Sequence, residues 1–288
     1  MTTAVLYDQL GPRGRRRVRI GSAIAYVGIA AVILAAALQL EEKGQFQSRR
    51  WTNLADPDLA EFLAKGLWAN VKAAAVAMVL ALVFGAFLAL GRLSRTPALR
   101  IPATAVIELF RALPQLLLIL AAAIVLPRYG FELPVFAYLI AGLTLYQGAV
   151  LAEIFRAGIL SLDRGQSEAS YSVGLSYGQT MRLVVIPQAV RRMLPSIISQ
   201  LVTLFKDTSL GFAIGYEELL RRGKFATVSF GESLLQIYLL IAVIFIVVNI
   251  ALSRFARWLE GRQQRKYGAA GAALAVTGVE DLAVLDSK

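Results

Sequence analysis

Apolar residues run along this 288-residue chain in long blocks, separated by shorter polar stretches that hold most of the charge. Six blocks stand out, at 20–40, 68–90, 101–126, 135–152, 197–214 and 234–253. Each is close to the roughly 20 residues that carry an α-helix across ~30 Å of hydrocarbon. A strand satisfies its backbone in lipid only within a closed barrel, and these blocks lack the alternation of barrel strands. The pattern predicts an all-α integral membrane protein with six transmembrane helices. Composition agrees, with 57% hydrophobic residues and only 17% charged, below the roughly 25% of soluble domains.

The polar stretches divide the chain further. Residues 1–19 read as an unstructured basic tail, because Gly11, Pro12 and Gly14 interrupt the arginine cluster. Residues 20–40 form an N-terminal membrane helix, and 41–65 an external loop in which Asp56-Pro57-Asp58 signals a helix start. A core membrane domain spans 66–257, with the second helix ending at Gly91-Arg92 and a tight connection at Phe131-Glu132-Leu133-Pro134. Residues 258–288 form a Gly/Ala-rich tail. The first block resembles a secretory signal, with arginines before it and Ala35-Ala36-Ala37 near its end. Its length exceeds the roughly 7–15 residues of a signal core, so a retained helix is expected. No internal repeat is visible, which counts against an inverted-repeat carrier.

Charge orients the bundle. With the amino terminus inside, the cytoplasmic segments hold Arg13, Arg15, Arg16, Arg17, Arg19, Arg92, Arg95, Arg100, Arg164, Arg182, Arg191, Arg192, Arg254, Arg257, Arg262, Arg265 and Lys266. The external ones hold Lys43, Arg49, Arg50, Lys65, Arg128, Arg221, Arg222 and Lys224. This 17-to-8 excess places both termini in the cytoplasm of a multi-pass plasma-membrane protein. Although the net charge is +11, no pattern interleaves it with aromatics, so no nucleic-acid partner is expected.

The chain contains no histidine and no cysteine. That removes disulfides, thiolate nucleophiles, Cys- or His-ligated metals and the Ser–His arrangements of hydrolases. A phosphate-binding Gly-x-x-x-x-Gly-Lys-Ser/Thr loop is also missing, so ATP-driven work would need a second polypeptide.

The polar gap between the fourth and fifth blocks carries the most specific signal. Glu168-Ala169-Ser170 is followed by Gly174 and closed by Val184-Val185-Ile186-Pro187. This spacing resembles the cytoplasmic EAA loop of type I ABC importer permeases, whose pattern is Glu-Ala-Ala, three residues, Gly, nine residues, Ile-x-Leu-Pro. Glu108-Leu109-Phe110-Arg111-Ala112-Leu113-Pro114, Ala152-Glu153-Ile154-Phe155-Arg156-Ala157-Gly158 and Lys206-Asp207-Thr208-Ser209-Leu210 resemble segments of that family's polar amino acid branch. Ala112-Leu113 stands where that branch has Gly-Thr. The resemblance covers about residues 62–260, and the overall pattern is most similar to glutamate-type permeases. It implies a five-helix core preceded by one extra helix. It also implies a second permease subunit, identical or related, an external substrate-binding protein, and ATPase subunits that bind ATP and Mg while this chain binds no cofactor.

The loop makes physical sense as a docking element. Residues 161–167 are polar, and a short helix can begin at Ser167, with Glu168 as the charged contact and Ala169 and Ser170 allowing close approach. Gly174 permits a bend before a second helix over 177–185. Pro187 and Pro195 are expected to interrupt its continuation into the membrane. The plainer alternative is an amphipathic helix lying on the lipid surface.

Ionisable residues inside apolar blocks need partners. Glu108 and Arg111 share a helical face, as do Glu153 and Arg156, so each pair is either a local salt bridge or part of the translocation path. Lys206 and Asp207 lie about ten residues into the fifth block, roughly 15 Å deep, and point to different sides of the helix. At least one of them is expected to reach another helix or the path, and Thr208 and Ser209 are expected to line the path with them. Lys72 can snorkel to the interface, whereas Gln115, Thr144, Gln147 and Asn249 suit either the path or interhelical hydrogen bonds. The sequence thus reads as a permease subunit of an ATP-driven importer for a polar amino acid, with glutamate favoured. A proton-coupled secondary carrier and a membrane-embedded enzyme are the alternatives, the chain itself catalysing no covalent chemistry in the first reading.

Overall fold

The computed structural model describes residues 11–229 and 233–258, and within them every regular element is helical. In chain order these are α1 (Pro12–Glu42), α2 (Ser48–Thr52), α3 (Pro57–Leu93), α4 (Pro97–Ala112), α5 (Gln115–Arg128) and α6 (Val135–Leu160). There follow α7 (Arg164–Ser172), α8 (Tyr177–Thr180), α9 (Ile186–Asp207), α10 (Leu219–Ser229) and α11 (Leu234–Trp258). A π turn over Met181–Val185 joins α8 to α9, and a 3-10 segment over Thr208–Ile214 extends α9. Five of these helices are long and apolar enough to cross a membrane: α1, α3, α6, the continuous Tyr177–Ile214 segment and α11. The bent pair α4–α5 makes a sixth where its two helices count as one broken span.

That bend corrects the simple reading of the third block. Residues 101–126 are not one helix; α4 and α5 meet at 100°. Pro114 is responsible, because its ring keeps the preceding residue out of helical space, and Leu113 is extended at φ −85°, ψ 138°. The fifth block differs in the opposite sense. Its helix begins at Tyr177, some 20 residues before 197, and Pro187 and Pro195 do not interrupt it. Pro187 sits in the first turn of α9, directly after the π turn. Widening the preceding turn removes the clash that a proline ring makes in a regular α ladder.

The amino-terminal expectation also changes. Arg13 to Arg19 are helical, because Gly11 caps α1 and Pro12 takes the first position, where its missing N–H costs nothing. None of the residues of α1 is buried. At the next helix start the sequence reading holds: the Asp56 carboxylate accepts the Asp58 N–H at 2.8 Å. The 131–134 connection is closed by Tyr138, which accepts the Leu133 N–H at 2.7 Å and donates to the Phe131 carbonyl at 2.9 Å.

The core forms where α3, α5, α6 and α9 meet, around Ala73, Ala77, Ala81, Ile119, Leu139, Leu143, Leu151 and Leu204. Small residues recur on the buried face of α3, which lets its backbone approach α6 closely. At Gly85 an added Cβ would stand 2.7 Å from the Gly148 carbonyl oxygen, so only glycine permits this crossing. A second cluster, of Leu59, Leu63, Leu219, Ala226, Ile237 and Ile241, joins α10 and α11 to the start of α3. The exposed faces carry Val79, Val83 and Phe87 on α3 and Val243, Ile246 and Val247 on α11, as lipid contact requires.

Candidate functional site

Residues 161–187 form a helix–turn–helix at one end of the bundle. Its first helix, α7, starts at Arg164, earlier than the expected Ser167, because Asp163 rather than a serine caps it; the carboxylate accepts the Gly165 N–H at 2.8 Å. Glu168 and Ala169 are exposed on this helix. Ser170 is buried against its own chain, its hydroxyl donating to the Gln166 carbonyl at 2.7 Å. Of the motif's first three residues, Glu168 and Ala169 are therefore exposed and Ser170 is buried.

Gly174 ends α7 in the left-handed region at φ +85°. Its N–H donates to the Tyr171 carbonyl at 3.0 Å, and the Leu175 N–H reaches the Ser170 carbonyl at 3.1 Å. This is a Schellman turn, which satisfies the last carbonyls of the helix and turns the chain sharply. Ser176 then opens α8 with a capping box: its hydroxyl accepts the Gln179 N–H, and the Gln179 side chain accepts the Ser176 N–H. The loop is braced against α9 by Gln188 to Gln166 at 3.1 Å and by Arg192 to the Ser161 carbonyl at 2.5 Å. From the loop between α3 and α4, the Arg95 guanidinium lies 5.3 Å from the centre of the Tyr177 ring.

The four charged residues singled out on the third and fourth blocks do come together, though not as two in-helix pairs. Glu108 pairs with Arg92 of α3 at 3.4 Å rather than with Arg111 of its own helix. Glu153 on α6 is the hub, with Arg92 at 2.5 Å, Arg156 at 3.6 Å and Arg111 at 3.8 Å. Arg92 links the two carboxylates, and sequence reasoning treated it only as a loop charge. Its partners lie 16 and 61 residues away, so no local spacing signals it.

At the far end of α9, Lys206 and Asp207 part company as their adjacency requires. They are the last two residues of α9, and because the continuous helix starts at Tyr177 and runs on to Ile214, the count of ten residues from 197 does not apply. Asp207 accepts the Gln147 amide at 2.9 Å, and Gln147 in turn accepts from Gln200. Lys206 is exposed beside a groove of ≈ 700 Å³ between α9 and α11, bordered also by Ser209, Tyr238, Phe245 and Asn249. Thr208 does not border it. It is fully buried, accepting the Asn70 amide at 2.8 Å and donating to the Phe205 carbonyl at 2.7 Å. Lys72 lies 5.0 Å from the centre of the Phe136 ring.

Asn70 belongs to a buried polar knot that the sequence reading missed. Besides Thr208 it donates to Glu218 at 3.3 Å and accepts the Leu219 N–H at 3.0 Å. Glu218 caps α10, accepting the N–H groups of Leu220 and Arg221 at 2.9 and 2.8 Å. Burial pushes its carboxyl above the ordinary value, against these donors, which favour the charged form. A carboxylate directly before an apolar Leu-Leu pair was the available signal for the cap; nothing local pointed to Asn70 as its partner. Among the described residues no three carboxylates gather closely enough to hold a metal ion.

Against this geometry, the family described as "binding-protein-dependent transport system inner membrane component" matches residues 81–265. The chain belongs to that family. It is an ABC permease, a multi-pass membrane component of a transport system rather than an enzyme, and neither the membrane-embedded enzyme nor the secondary carrier is favoured. Over 230 residues it is 39% identical to the glutamate transport system permease protein GluD of Corynebacterium glutamicum, covering 78% of this chain and 84% of GluD. Over 204 residues it is 39% identical to the probable glutamine ABC transporter permease protein GlnP of Bacillus subtilis, covering 70% of this chain and 94% of GlnP. In structure it resembles an amino acid ABC transporter crystallised with histidines, at TM-score 0.69 and 29% identity over 73% of this chain and 97% of the other. The MetNI methionine transporter in an inward-facing form shares the fold, at TM-score 0.56 and 20% identity over 70% of this chain and 98% of the other.

Proposed function

We propose that this chain is the permease subunit of an ATP-driven importer that carries a polar amino acid, glutamate being favoured, into the cell. The observation that carries the reading is the exposed α7–Gly174–α8 loop at the end of a bundle whose relatives are named for glutamate and glutamine transport. Glu168 and Ala169 present a charge and a small side chain to a separate ATPase, which binds ATP and Mg. The Gly174 turn sets the angle between the two helices that enter it. Because α9 continues from α8 without a break, closure of the ATPase pair pulls on one end of a 38-residue lever.

In this reading both termini are cytoplasmic, in accord with the excess of arginines on the segments around the loop. A second permease subunit completes the path, and an external binding protein delivers the substrate. Residues 66–257 form the transport core. Lys206 and Ser209 face the path beside the α9–α11 groove, while Asp207 is held by Gln147. Glu108, Arg111, Glu153 and Arg156 act at the end near the loop.

The test is co-purification followed by reconstitution. The chain, co-expressed with its ATPase, should retain that subunit and support ATP-dependent uptake of labelled glutamate in vesicles supplied with binding protein. Glu168→Lys should weaken ATPase retention. Normal retention and normal uptake by Glu168→Lys would overturn the docking role, and uptake that ignores ATP would overturn the importer.

A further inference from the structure

The charged node around Arg92 and the loop at 161–187 are joined by a short stretch of chain. Arg92 stands in the last turn of α3, with its guanidinium between Glu153 of α6 at 2.5 Å and Glu108 of α4 at 3.4 Å. Three residues further on, Arg95 covers the Tyr177 ring at 5.3 Å, and Tyr177 is the first residue of α8. Arg111 completes the contact with Glu153 at 3.8 Å and lies two residues before Leu113, where the third span turns by 100°. One guanidinium therefore pins three helices beside the bend, and the next cation in the chain rests on the loop.

The chemistry suits a latch more than a simple neutralising pair. A planar guanidinium can hold two carboxylates at once, which the ammonium point charge of lysine does less well. Both Arg92 and Glu153 are largely shielded, with side chains 18% and 22% exposed, so their pairing is screened less than a surface contact. Glu108 is 63% exposed, so its hold on Arg92 is the weaker and more readily exchanged one. An arrangement with one firm and one loose partner can keep α3 on α6 while α4 is released.

We propose that Arg92 and Arg95 are positioning residues for coupling: together they transmit movement of the docking loop to the α4–α5 bend, through Tyr177 at one end and the Glu108–Arg92–Glu153 bridge at the other. This rests on the docking role of the loop. Neither residue touches nucleotide or substrate. Their removal should leave the ATPase bound and hydrolysing while less substrate moves per ATP.

The experiment measures uptake and ATP hydrolysis together in the reconstituted full complex. Arg92→Gln should lower the ratio of substrate moved to ATP hydrolysed about tenfold, with the ATPase still co-purifying. Arg92→Lys should recover part of the ratio. Arg95→Gln alters an exposed side chain and should lower the ratio by a smaller factor of about three. In a double-mutant cycle, Arg92→Gln combined with Glu153→Gln should lose less than the two single losses together, since the Arg92–Glu153 bridge is common to both. A wild-type ratio in Arg92→Gln and Arg95→Gln, with the ATPase retained, overturns the proposal. So does a parallel fall of assembly, hydrolysis and uptake at unchanged ratio, which marks a purely structural role. Failure of the docking reading looks different: Glu168→Lys would keep both its ATPase and its uptake.

Discussion

Gly174 offers the sharpest test of the docking loop, because the cost of changing it can be worked out with little else disturbed. Its φ is +85°, and a Cβ built there meets no atom within 4 Å. The first side-chain atom of Gly174→Val therefore meets no neighbour, and backbone strain is the expected cost. Holding an L-residue left-handed costs roughly 1–2 kcal/mol, and a β-branched side chain belongs at or above the top of that range. At about 1.4 kcal/mol per factor of ten, the equilibrium constant for the competent turn falls some five- to thirtyfold. If the ATPase recognises only that turn, its apparent affinity falls by up to the same factor, the full loss being reached once the turn is the minor state. Gly174→Asn should stay within about threefold of wild type, because asparagine tolerates the left-handed region. The assay is ATPase binding to the purified chain at graded ATPase concentration, with uptake measured in parallel and the chain's own thermal unfolding as a control for folding. Equal affinity and uptake in wild type and Gly174→Val would refute the argument.

Other outcomes follow from the same geometry. In this cysteine-free chain, Ser176→Cys should react with membrane-impermeant thiol reagents only from the cytoplasmic side and Ser48→Cys only from outside; labelling of position 176 in intact cells would invert the topology. Lys206→Ala should reduce maximal uptake with ATPase assembly unchanged, and Lys206→Arg should keep part of the rate; full transport by Lys206→Ala at equal expression would return the residue to a structural role. Burial holds the Glu218 carboxyl above its ordinary value, so the folded state keeps a proton that the unfolded state releases. That contribution is complete below the unfolded value of about 4.3 and is lost as pH rises through the raised folded one. Thermal unfolding of Glu218→Gln should therefore depend less on pH than wild type across that window, and identical pH profiles would contradict it.

Much of this protein was legible in the order of its residues. Blocks of apolar side chains fix the number of spans, since hydrocarbon admits only helices whose backbone groups pair internally. Asp56-Pro57, Pro134 and Gly174 mark local boundaries, because caps, ring constraints and left-handed turns act over a few residues and so are written locally. The loop motif was readable for the same reason, as was the divergence of Lys206 and Asp207. Folding in space decided the rest. Two prolines look alike in the sequence, yet Pro114 breaks a span at 100° whereas Pro187 is carried by a π turn into a continuous helix. Which outcome follows depends on whether the turn before the ring widens to take it, as over Met181–Val185, or the preceding residue goes extended, as at Leu113. Ser170 fits the docking motif, but its buried hydroxyl faces its own helix. Glu108–Arg111 and Glu153–Arg156 suggested two local pairs; packing put Arg92 among them and made one network across three helices. Asn70, Thr208 and Glu218 likewise meet across 138 and 148 residues of chain. Sequence specified what each segment must bury or cap, and only the tertiary fold could specify with whom, because charge pairing and buried hydrogen bonds depend on distance in space rather than along the chain.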